Sequence, residues 1–579
     1  MPSRARASRA AARGRRPRRS PRRGAHGGRG ALRGAWGTRS WVGFAPVRCP
    51  DRTIDCDSTV RRFERPAGRP RLNGSVLPDP DPALCRALAA DLAAAGFDSA
   101  SLRAAWGPSA DAAIARGLRG PALRALALRD DPLAVVARLF VLGMPQPAAS
   151  VSAAFAATGV SGLAALGLAE ASGPDVAPVA LIRPQEFADD AGAVEWWVAS
   201  DLDEAALAAP LPEDHVLGVG GASLTLAALQ LPTPARSVLD IGTGCGIQSL
   251  RARRFAERVV ATDVSERALR FTRLNARLNG VDAIDVRAGS LFEPVEGEEF
   301  DRVVSNPPFV ITPRVDGVPA YEYRDGGMVG DDLVAGFVSR VGGVLASGGV
   351  AQLLGNWETR GGVDGLERVR SWVAASPVPL DAWVVERESL DPLEYAELWI
   401  RDGGTLPGTP AFARLVDAWL DDFASRAVER IGFGYVLLRR AAGAPTLERY
   451  ERVGQHVRDA LGPHLAAALA AHDRLAPLSD DDLAAAALVV AGDVTEARHH
   501  LPGVEDPTII ELRQGGGFAR SFEVDPGLAA LVGACDGDLP VGALVAAIAD
   551  LLEVDAAALR ADLLPRVREL VFTGFLRFA

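Results

Sequence analysis

The sequence contains no lysine, few cysteines and few histidines, and these scarcities exclude several classes of protein. All 63 basic residues are arginine, and the 579-residue chain is rich in glycine and alanine, which indicates the coding bias of a GC-rich genome. The five cysteines lie far apart, and none of the seven histidines accompanies a cysteine cluster. This spacing fits neither a zinc site nor a disulfide framework, so it predicts no metal and a reducing, cytoplasmic location.

Long apolar runs are also missing. No stretch of about 18 uninterrupted apolar residues occurs, so the sequence predicts no membrane-spanning helix and no membrane partner. The hydrophobic fraction of 48% and the charged fraction of 23% are nevertheless those of a globular protein with a large core. At about 150 residues per domain, the length predicts three or four structural units.

Charge is distributed unevenly along the chain. Residues 1–50 hold 14 arginines and no acid, which gives them a charge of +14. The other 529 residues must then carry a charge of −24, because the net charge of the chain is −10. The Arg/Pro-rich segment 1–76 lacks a periodic apolar pattern, which predicts a disordered tail. Three explanations of this tail stay open: an arm that binds nucleic acid, a transit peptide, or a start codon assigned too early.

Two helix-rich segments flank the middle of the chain. In the first, residues 77–204, several helical patterns precede two apparent strands at 176–184 and 194–200. Helices followed by a two-stranded ribbon are typical of a winged helix, although a helical cap with a β-hairpin has the same outline. The second segment, residues 443–579, ends in three helical patterns and a closing strand, which again indicates a helical or winged-helix-like domain.

Strands and helices alternate in the central segment, residues 205–442. Seven strand patterns occur, at 237–241, 258–262, 285–288, 300–305, 349–354, 382–388 and 434–439. Alternation at this spacing predicts an α/β domain with a Rossmann-like, seven-stranded, mostly parallel sheet.

A glycine-rich turn, Asp240-Ile241-Gly242-Thr243-Gly244-Cys245-Gly246, follows the first of these strands. Glycine adopts positive φ and lets the backbone approach a ligand closely. The spacing is G-x-G-x-G, and Ile247 replaces the third glycine of the dinucleotide fingerprint, so no pyrophosphate site is predicted. The second strand leads into Asp263, whose carboxylate can accept hydrogen bonds from two ribose hydroxyls.

The fourth strand leads into Asn306-Pro307-Pro308-Phe309. Two prolines fix φ and lack amide hydrogens, so the loop is stiff and its carbonyls are free. The Asn306 side-chain oxygen and the Pro307 carbonyl can together accept both hydrogens of an NH2 group. Such bonds localise the nitrogen lone pair toward an electrophile, and the Phe309 ring can face a developing cation. This chemistry needs positioning and electrostatics rather than a general base.

These two motifs make the segment from about Glu213 to Ala441 resemble the class I S-adenosylmethionine-dependent methyltransferases of the "small domain" N-methyltransferase group. The resemblance implies S-adenosyl-L-methionine as cofactor, with Asn306 also beside it, and catalysis by the four-residue motif. The implied cofactor-binding residues are Asp240, Gly242, Thr243, Gly244, Gly246, Asp263, Val264, Ser290, Leu291 and Asn306, and the implied catalytic residues are Asn306, Pro307, Pro308 and Phe309. Many members carry an acid near the adenine, where this chain has Gly289-Ser290-Leu291-Phe292.

The methyl acceptor is open at this point. Members of the group modify exocyclic amines of bases in RNA or DNA, or the side-chain amide of glutamine in release factors. Phe309 in place of tyrosine is similar to the ribosomal RNA guanine-N2 enzymes, so the leading hypothesis is methylation of a base in RNA, with ribosomal RNA as the first candidate. The segment Tyr321–Asp332 resembles the D-G-G-x-x-G loop of the glutamine group, which gives N5-methylation of a protein glutamine as the alternative. A non-catalytic regulator that binds cofactor or nucleic acid is the third possibility.

Overall fold

The computed structural model describes residues 77–579 except 190–191, 208–210, 213, 320, 322 and 458–459. The predicted disordered tail, residues 1–76, lies outside the described residues. Everything below concerns the described part of the chain.

The helices, in chain order, are α1 Pro82–Ala94, α2 Ser99–Trp106, α3 Pro108–Ile114, α4 Gly120–Leu126, α5 Pro132–Val136, α6 Ala148–Ala154, α7 Gly159–Ala165, α8 Glu204–Leu207, α9 Gly221–Leu229, α10 Ile247–Ala252, α11 Glu266–Leu278, α12 Asp332–Arg340, α13 Gly365–Ala374, α14 Pro392–Asp402, α15 Pro410–Ser425, α16 Gly462–Leu475, α17 Asp480–Ala485, α18 Pro526–Ala534, α19 Val541–Leu552 and α20 Ala556–Phe572. A π-helical turn at Ala137–Val141 and 3-10 turns at Glu293–Val295 and Val341–Val344 accompany them.

The strands are β1 Gln146–Pro147, β2 Ala169–Ser172, β3 Asp175–Pro178, β4 Ala180–Asp189, β5 Gly192–Asp201, β6 Ala235–Ile241, β7 Ala256–Asp263, β8 Ile284–Ala288, β9 Phe300–Ser305, β10 Leu345–Arg360, β11 Leu380–Leu390, β12 Val428–Arg440, β13 Glu448–Arg452, β14 Ala487–Val490, β15 Val494–His499, β16 Ile509–Gln514, β17 Ser521–Val524, β18 Asp536–Pro540 and β19 Leu576–Phe578.

A mostly parallel sheet organises the centre of the molecule, as the alternating pattern predicts. Its strand order is β13-β11-β12-β10-β9-β6-β7-β8, and within this sheet β12 alone runs antiparallel to its neighbours. The sheet has eight strands rather than the predicted seven. The extra strand is β13, which pairs with β11 and comes from the segment assigned to the C-terminal domain.

Helix α11 connects the central sheet to the strands of the N-terminal unit. The Ser265 hydroxyl caps its first turn, and Phe271, Leu274 and Leu278 are buried on one face, as predicted. The Asn275 and Asn279 side chains pair with the backbone of β5 at 2.7–2.9 Å. Because these bonds join two elements distant in sequence, α11 fastens the N-terminal strands to the sheet.

The N-terminal unit differs in detail from its prediction. Strand β1, helices α6 and α7, and the hairpin β2–β3 follow one another, and their sheet order is β1-β3-β2, which is the order of elements in a winged helix. The predicted strand 176–184 is in fact two strands. The chain turns after Pro178, where the Val179 and Ala180 amides both donate to the Leu168 carbonyl, so β4 and β5 form a separate ribbon.

Apolar helices are short throughout the described residues. None of them alone has both the length and the apolar composition to cross a membrane. Among the described residues, only one pair of helices, Ala148–Ala154 with Gly159–Ala165, has the required length and apolar composition when the two are taken together, and this pair is sharply bent.

Candidate active site

The turn between β6 and α10 is shaped by three glycines with positive φ: Gly242 at 71°, Gly244 at 56° and Gly246 at 83°. A Cβ on Gly246 would come within 3.1 Å of Thr272, so this glycine lets α11 pack closely. A Cβ on Gly244 would meet no protein atom within 4 Å. Open space therefore lies over the middle of the turn, where a ligand can approach the backbone.

Asp240, at the end of β6, stabilises the conformation of this turn. It is fully buried, and its Oδ2 accepts hydrogen bonds from the hydroxyls of Thr243 at 2.8 Å and Ser249 at 2.6 Å. Its Oδ1 is buried without a hydrogen-bond partner in the protein. Burial raises the pKa of the Asp240 carboxyl to about 6, against the two hydroxyl donors that lower it. The carboxyl thus holds the turn and keeps one free acceptor.

Asp263 lies beside the glycine turn, as its predicted role requires. Its Oδ2 accepts from the Gly244 amide at 3.0 Å and its Oδ1 from the Ser265 amide at 2.9 Å. Burial raises the pKa of this carboxyl. The neighbouring Val264 is 66% exposed, and its predicted contact with the cofactor stays a prediction.

The segment after β8 is joined to the same edge. The Gly289 amide donates to the Asp263 carbonyl at 3.0 Å. Ser290 is exposed, and Leu291 is partly buried with a positive φ of 47°. The structure thus brings both residues near Asp263, while their predicted adenine contacts stay a prediction.

The Asn306-Pro307-Pro308-Phe309 loop lies directly opposite the glycine turn. The Ser305 hydroxyl donates to the Ile241 carbonyl at 2.8 Å and joins the ends of β9 and β6. A Cβ on Gly242 would lie 4.0 Å from the Asn306 carbonyl oxygen, so the two loops are neighbours. The Oδ1 atom of Asn306 is buried and has no hydrogen-bond partner among the residues that the structure describes. An acceptor in that state suits a donor brought by a substrate.

The other residues of the loop have different surroundings. The Pro307 carbonyl already accepts the Phe309 amide at 2.8 Å, and its second lone pair is left for another donor. Pro308 is partly buried. The Phe309 side chain is only 8% exposed and packs in the core of the sheet. Little of its ring faces solvent, so its predicted stacking on the target stays a prediction.

The chain after this loop is held by bonds that the sequence pattern did not reveal. The Val310 amide donates to the Arg324 carbonyl at 2.8 Å, and the Ile311 amide donates to the Tyr395 hydroxyl at 2.9 Å. Tyr395 belongs to α14, and no element was predicted there. A signal existed: Asp391 and Glu394 form a capping box at the start of that helix.

Two further residues of the region are chemically quiet. Cys245 is buried in the glycine turn, and burial raises the pKa of its thiol to about 11, so the reactive thiolate is disfavoured. His215 is buried near Asp201, and burial lowers the pKa of its imidazole. Among the described residues, no group of three or more His, Cys, Asp or Glu side chains is arranged to hold a metal ion.

Comparisons with known proteins bear on the same segment. The family model described as the methyltransferase small domain matches residues 220–318. Two further models, each described as a domain of unknown function, match residues 94–179 and 469–578. The middle match contains the glycine turn, Asp263 and the Asn306 loop.

Curated relatives include the release factor glutamine methyltransferase of Deinococcus radiodurans, 33% identical over 32% of this chain and 68% of its own length. A putative protein N5-glutamine methyltransferase of Methanocaldococcus jannaschii is 34% identical over 21% of this chain and 61% of its own. The ribosomal protein L11 methyltransferase of Caldicellulosiruptor bescii is 46% identical over 14% and 27%. The chain thus spans between about a quarter and two thirds of the length of these relatives.

Solved structures align with 38% of the chain. YcgJ from Bacillus subtilis aligns over 98% of its own length at 15% identity and a TM-score of 0.25. A geranyl diphosphate methyltransferase in complex with S-adenosylmethionine aligns over 84% of its own length at 14% identity and a TM-score of 0.25.

The glycine turn with open space above it and the adjacent Asp263 carboxylate fit S-adenosyl-L-methionine, the cofactor of this enzyme. Together with the matched family model and the identity to the Deinococcus relative, they place the chain in a family. The chain belongs to the S-adenosylmethionine-dependent methyltransferases with a methyltransferase small domain.

Proposed function

We propose that this methyltransferase transfers a methyl group to the side-chain amide nitrogen of a glutamine in a protein. The observation that carries the proposal is the buried Asn306 Oδ1, which lacks a hydrogen-bond partner among the described residues and precedes Pro307, whose carbonyl keeps a lone pair for another donor. A primary amide has two hydrogens on one nitrogen, and these two acceptors match that pair.

The residues of the site divide the work. S-adenosylmethionine supplies an electrophilic methyl group when it is bound. Gly242 and Gly244 would leave room for it, and Asp263 would accept hydrogen bonds from its ribose. Asn306 and Pro307 accept the two amide hydrogens, which draws the nitrogen lone pair out of conjugation with the carbonyl. The stiff proline loop keeps these acceptors in place before the reaction, so little reorganisation accompanies it. The proton leaves to water once nitrogen has become cationic.

The arginines near the sheet support a protein acceptor over RNA. RNA binding depends on cations that neutralise phosphates. On α10 and just after it, Arg251 and Arg254 both bind Asp189, and on α11 Arg267 binds Asp201. Arg270 and Arg277 donate to backbone carbonyls of residues 77 and 80. These guanidinium groups hold the N-terminal unit against the sheet.

The N-terminal winged-helix elements point the same way. A winged helix that reads nucleic acid needs basic residues on its second helix or its wing. Helices α6 and α7 carry no charged residue, and the hairpin β2–β3 carries two acids, Glu170 and Asp175, and no base. Such a surface repels phosphates and suits contact with protein.

The names of the relatives add independent support. The Deinococcus and Methanocaldococcus relatives are both named as glutamine methyltransferases. This outweighs the single Phe309 similarity that favoured a base in ribosomal RNA. Release factors act during translation, so a release factor as the acceptor would place the reaction in the cytoplasm.

A transfer assay tests the acceptor class. The purified enzyme and methyl-labelled S-adenosylmethionine are added to an extract of cells that lack the gene, and the products are digested with ribonuclease or protease. We expect protease-sensitive label that mass spectrometry locates on a glutamine side chain. Label that is lost to ribonuclease would overturn the glutamine proposal in favour of RNA.

Cofactor binding gives a separate prediction. The Asp263→Asn variant keeps the shape of the side chain but removes the charge that accepts the ribose hydrogens. Hydrogen bonds to charged groups contribute about 1.5–3 kcal/mol, so the Kd for S-adenosylmethionine rises about 10- to 100-fold. Calorimetric titration measures this change. The exposed Asp285, paired with Arg287 on β8, provides the control variant Asp285→Asn, for which we expect an unchanged Kd.

A further inference from the structure

An inserted pair of helices, α14 and α15, rises from the edge of the sheet that carries the active site. It connects β11 to β12, whose pairing ends at Leu390 and Ile431. Strands β11 and β10 are both antiparallel to β12, and β10 is parallel to β9. Strand β11 therefore runs in the same direction as β9. The carboxyl end of β11 therefore lies at the same edge as Asn306, and the insertion begins there.

The insertion is built around Tyr395. This residue is fully buried, and its ring lies 5.5–6.1 Å from those of Trp399, Trp419, Phe423 and Phe433. Aromatic packing of this kind stabilises a fold without any hydroxyl. A phenylalanine would fill the same space, so the presence of a hydroxyl in this apolar cluster calls for a polar partner.

That partner is the loop of the active site. The Tyr395 hydroxyl accepts the Ile311 amide at 2.9 Å and the Asn356 side-chain amide at 2.7 Å. Ile311 is two residues after Phe309, and Asn356 lies near the end of β10, the strand beside β9. All three residues are buried. The hydroxyl therefore joins the inserted helices, the sheet and the catalytic loop at one point.

A second connection supports the same segment. The Arg324 guanidinium donates to the Trp399 carbonyl at 3.0 Å and to the Asp402 carboxylate at 2.8 Å, both on α14. It also lies 4.6 Å over the Tyr321 ring. The Arg324 carbonyl also accepts the Val310 amide. Helix α14 therefore supports both the segment at Val310 and the segment at Arg324 that pairs with it.

We propose that Tyr395 is a positioning residue for methyl transfer, acting through Ile311 on the placement of Asn306 and Pro307. Without its hydroxyl, the buried Ile311 amide loses its partner, and the loop moves to find another. The acceptors then no longer meet the target NH2 group in line with the methyl donor. The inference rests on methyl transfer by the Asn306 loop and holds for a glutamine or a base as acceptor.

The test compares Tyr395→Phe with Trp419→Phe, a change in the same aromatic cluster that touches no hydrogen bond to the loop. Single-turnover transfer from bound, labelled S-adenosylmethionine is measured on whole extract of cells lacking the gene. We expect Tyr395→Phe to lower the rate constant about 10- to 100-fold, since small misplacements of reacting groups cost that much. Its Kd for S-adenosylmethionine stays unchanged, and Trp419→Phe keeps the wild-type rate.

Hydrogen exchange at the Ile311 amide distinguishes a role in positioning the loop from a general role in stabilising the fold. In Tyr395→Phe we expect faster exchange at the Ile311 amide than in Trp419→Phe at equal global stability. A wild-type rate in folded Tyr395→Phe, or an equal loss in both variants, would overturn the proposal. If the wild-type enzyme labels neither protein nor RNA, the proposed function fails, and unchanged exchange at Ile311 would overturn the role of Tyr395 separately.

Discussion

The Asn306→Ala variant is expected to lose methyl transfer by about 10²- to 10³-fold while it binds S-adenosylmethionine with unchanged affinity. The magnitude is that of removing one preorganised hydrogen-bonding group from an enzyme site. The physical reason is the position of the Asn306 Oδ1, which is buried and has no partner in the protein. Its removal leaves the fold intact but takes away one of the two acceptors for the target NH2 group. Single-turnover transfer and calorimetric titration measure the two quantities.

A matched asparagine provides the control for this experiment. Asn279 pairs with the backbone of Trp197 on β5, and it lies at the end of α11 that leads to the start of β8, at the edge of the sheet opposite Asn306. We expect Asn279→Ala to lower the melting temperature and leave the rate per folded molecule unchanged. Retained transfer in Asn306→Ala would instead show that this loop does not act on the acceptor.

The Glu451→Gln variant is expected to lower the free energy of unfolding by about 3 kcal/mol, the cost of removing one partner of a largely buried ion pair. Glu451 lies on β13 and accepts hydrogen bonds from Arg520, Arg449 and the Trp383 indole. It is the junction between the sheet and the C-terminal unit. Glutamine keeps the shape but leaves Arg520 without its counter-charge. Chemical denaturation measures the difference.

The difference in the free energy of unfolding between wild type and Glu451→Gln depends on pH. Burial alone would raise the pKa of Glu451, but the two guanidinium groups outweigh burial and lower it to about 2. The stabilisation is therefore complete above about pH 4.5 and is lost as the pH falls toward 2. We expect wild type and variant to converge over that range. Glu397→Gln, which breaks an exposed pair with Arg401, should show no such convergence, and an equal effect of both changes would contradict the junction role.

The positions of the motifs proposed to bind cofactor and act on the acceptor were predictable from sequence, because each is a short segment at the end of a strand. In a parallel sheet the carboxyl ends of strands meet at one edge, so the glycine turn, Asp263 and the Asn306 loop were expected together. The structure places them so, with Gly244 bonded to Asp263 and Gly242 opposite Asn306. Local chemistry and the alternation of strands and helices sufficed for this part.

Other features depend on partners distant in sequence. Strand β13 is polar and short, and only its pairing with β11 makes it part of the sheet. Arg251 and Arg254 are close together in sequence, but their shared ion-pair partner, Asp189, reaches them only because β4 lies beside α10.

By itself the sequence determined the α/β class and the positions of the glycine turn and the Asn306 loop, since these follow from residue types at fixed local spacing. Only the tertiary structure decided which arginines are engaged and what holds the loop. The Tyr395 hydroxyl meets Ile311 and Asn356 across 84 and 39 residues of chain, and no local pattern encodes contacts of that range.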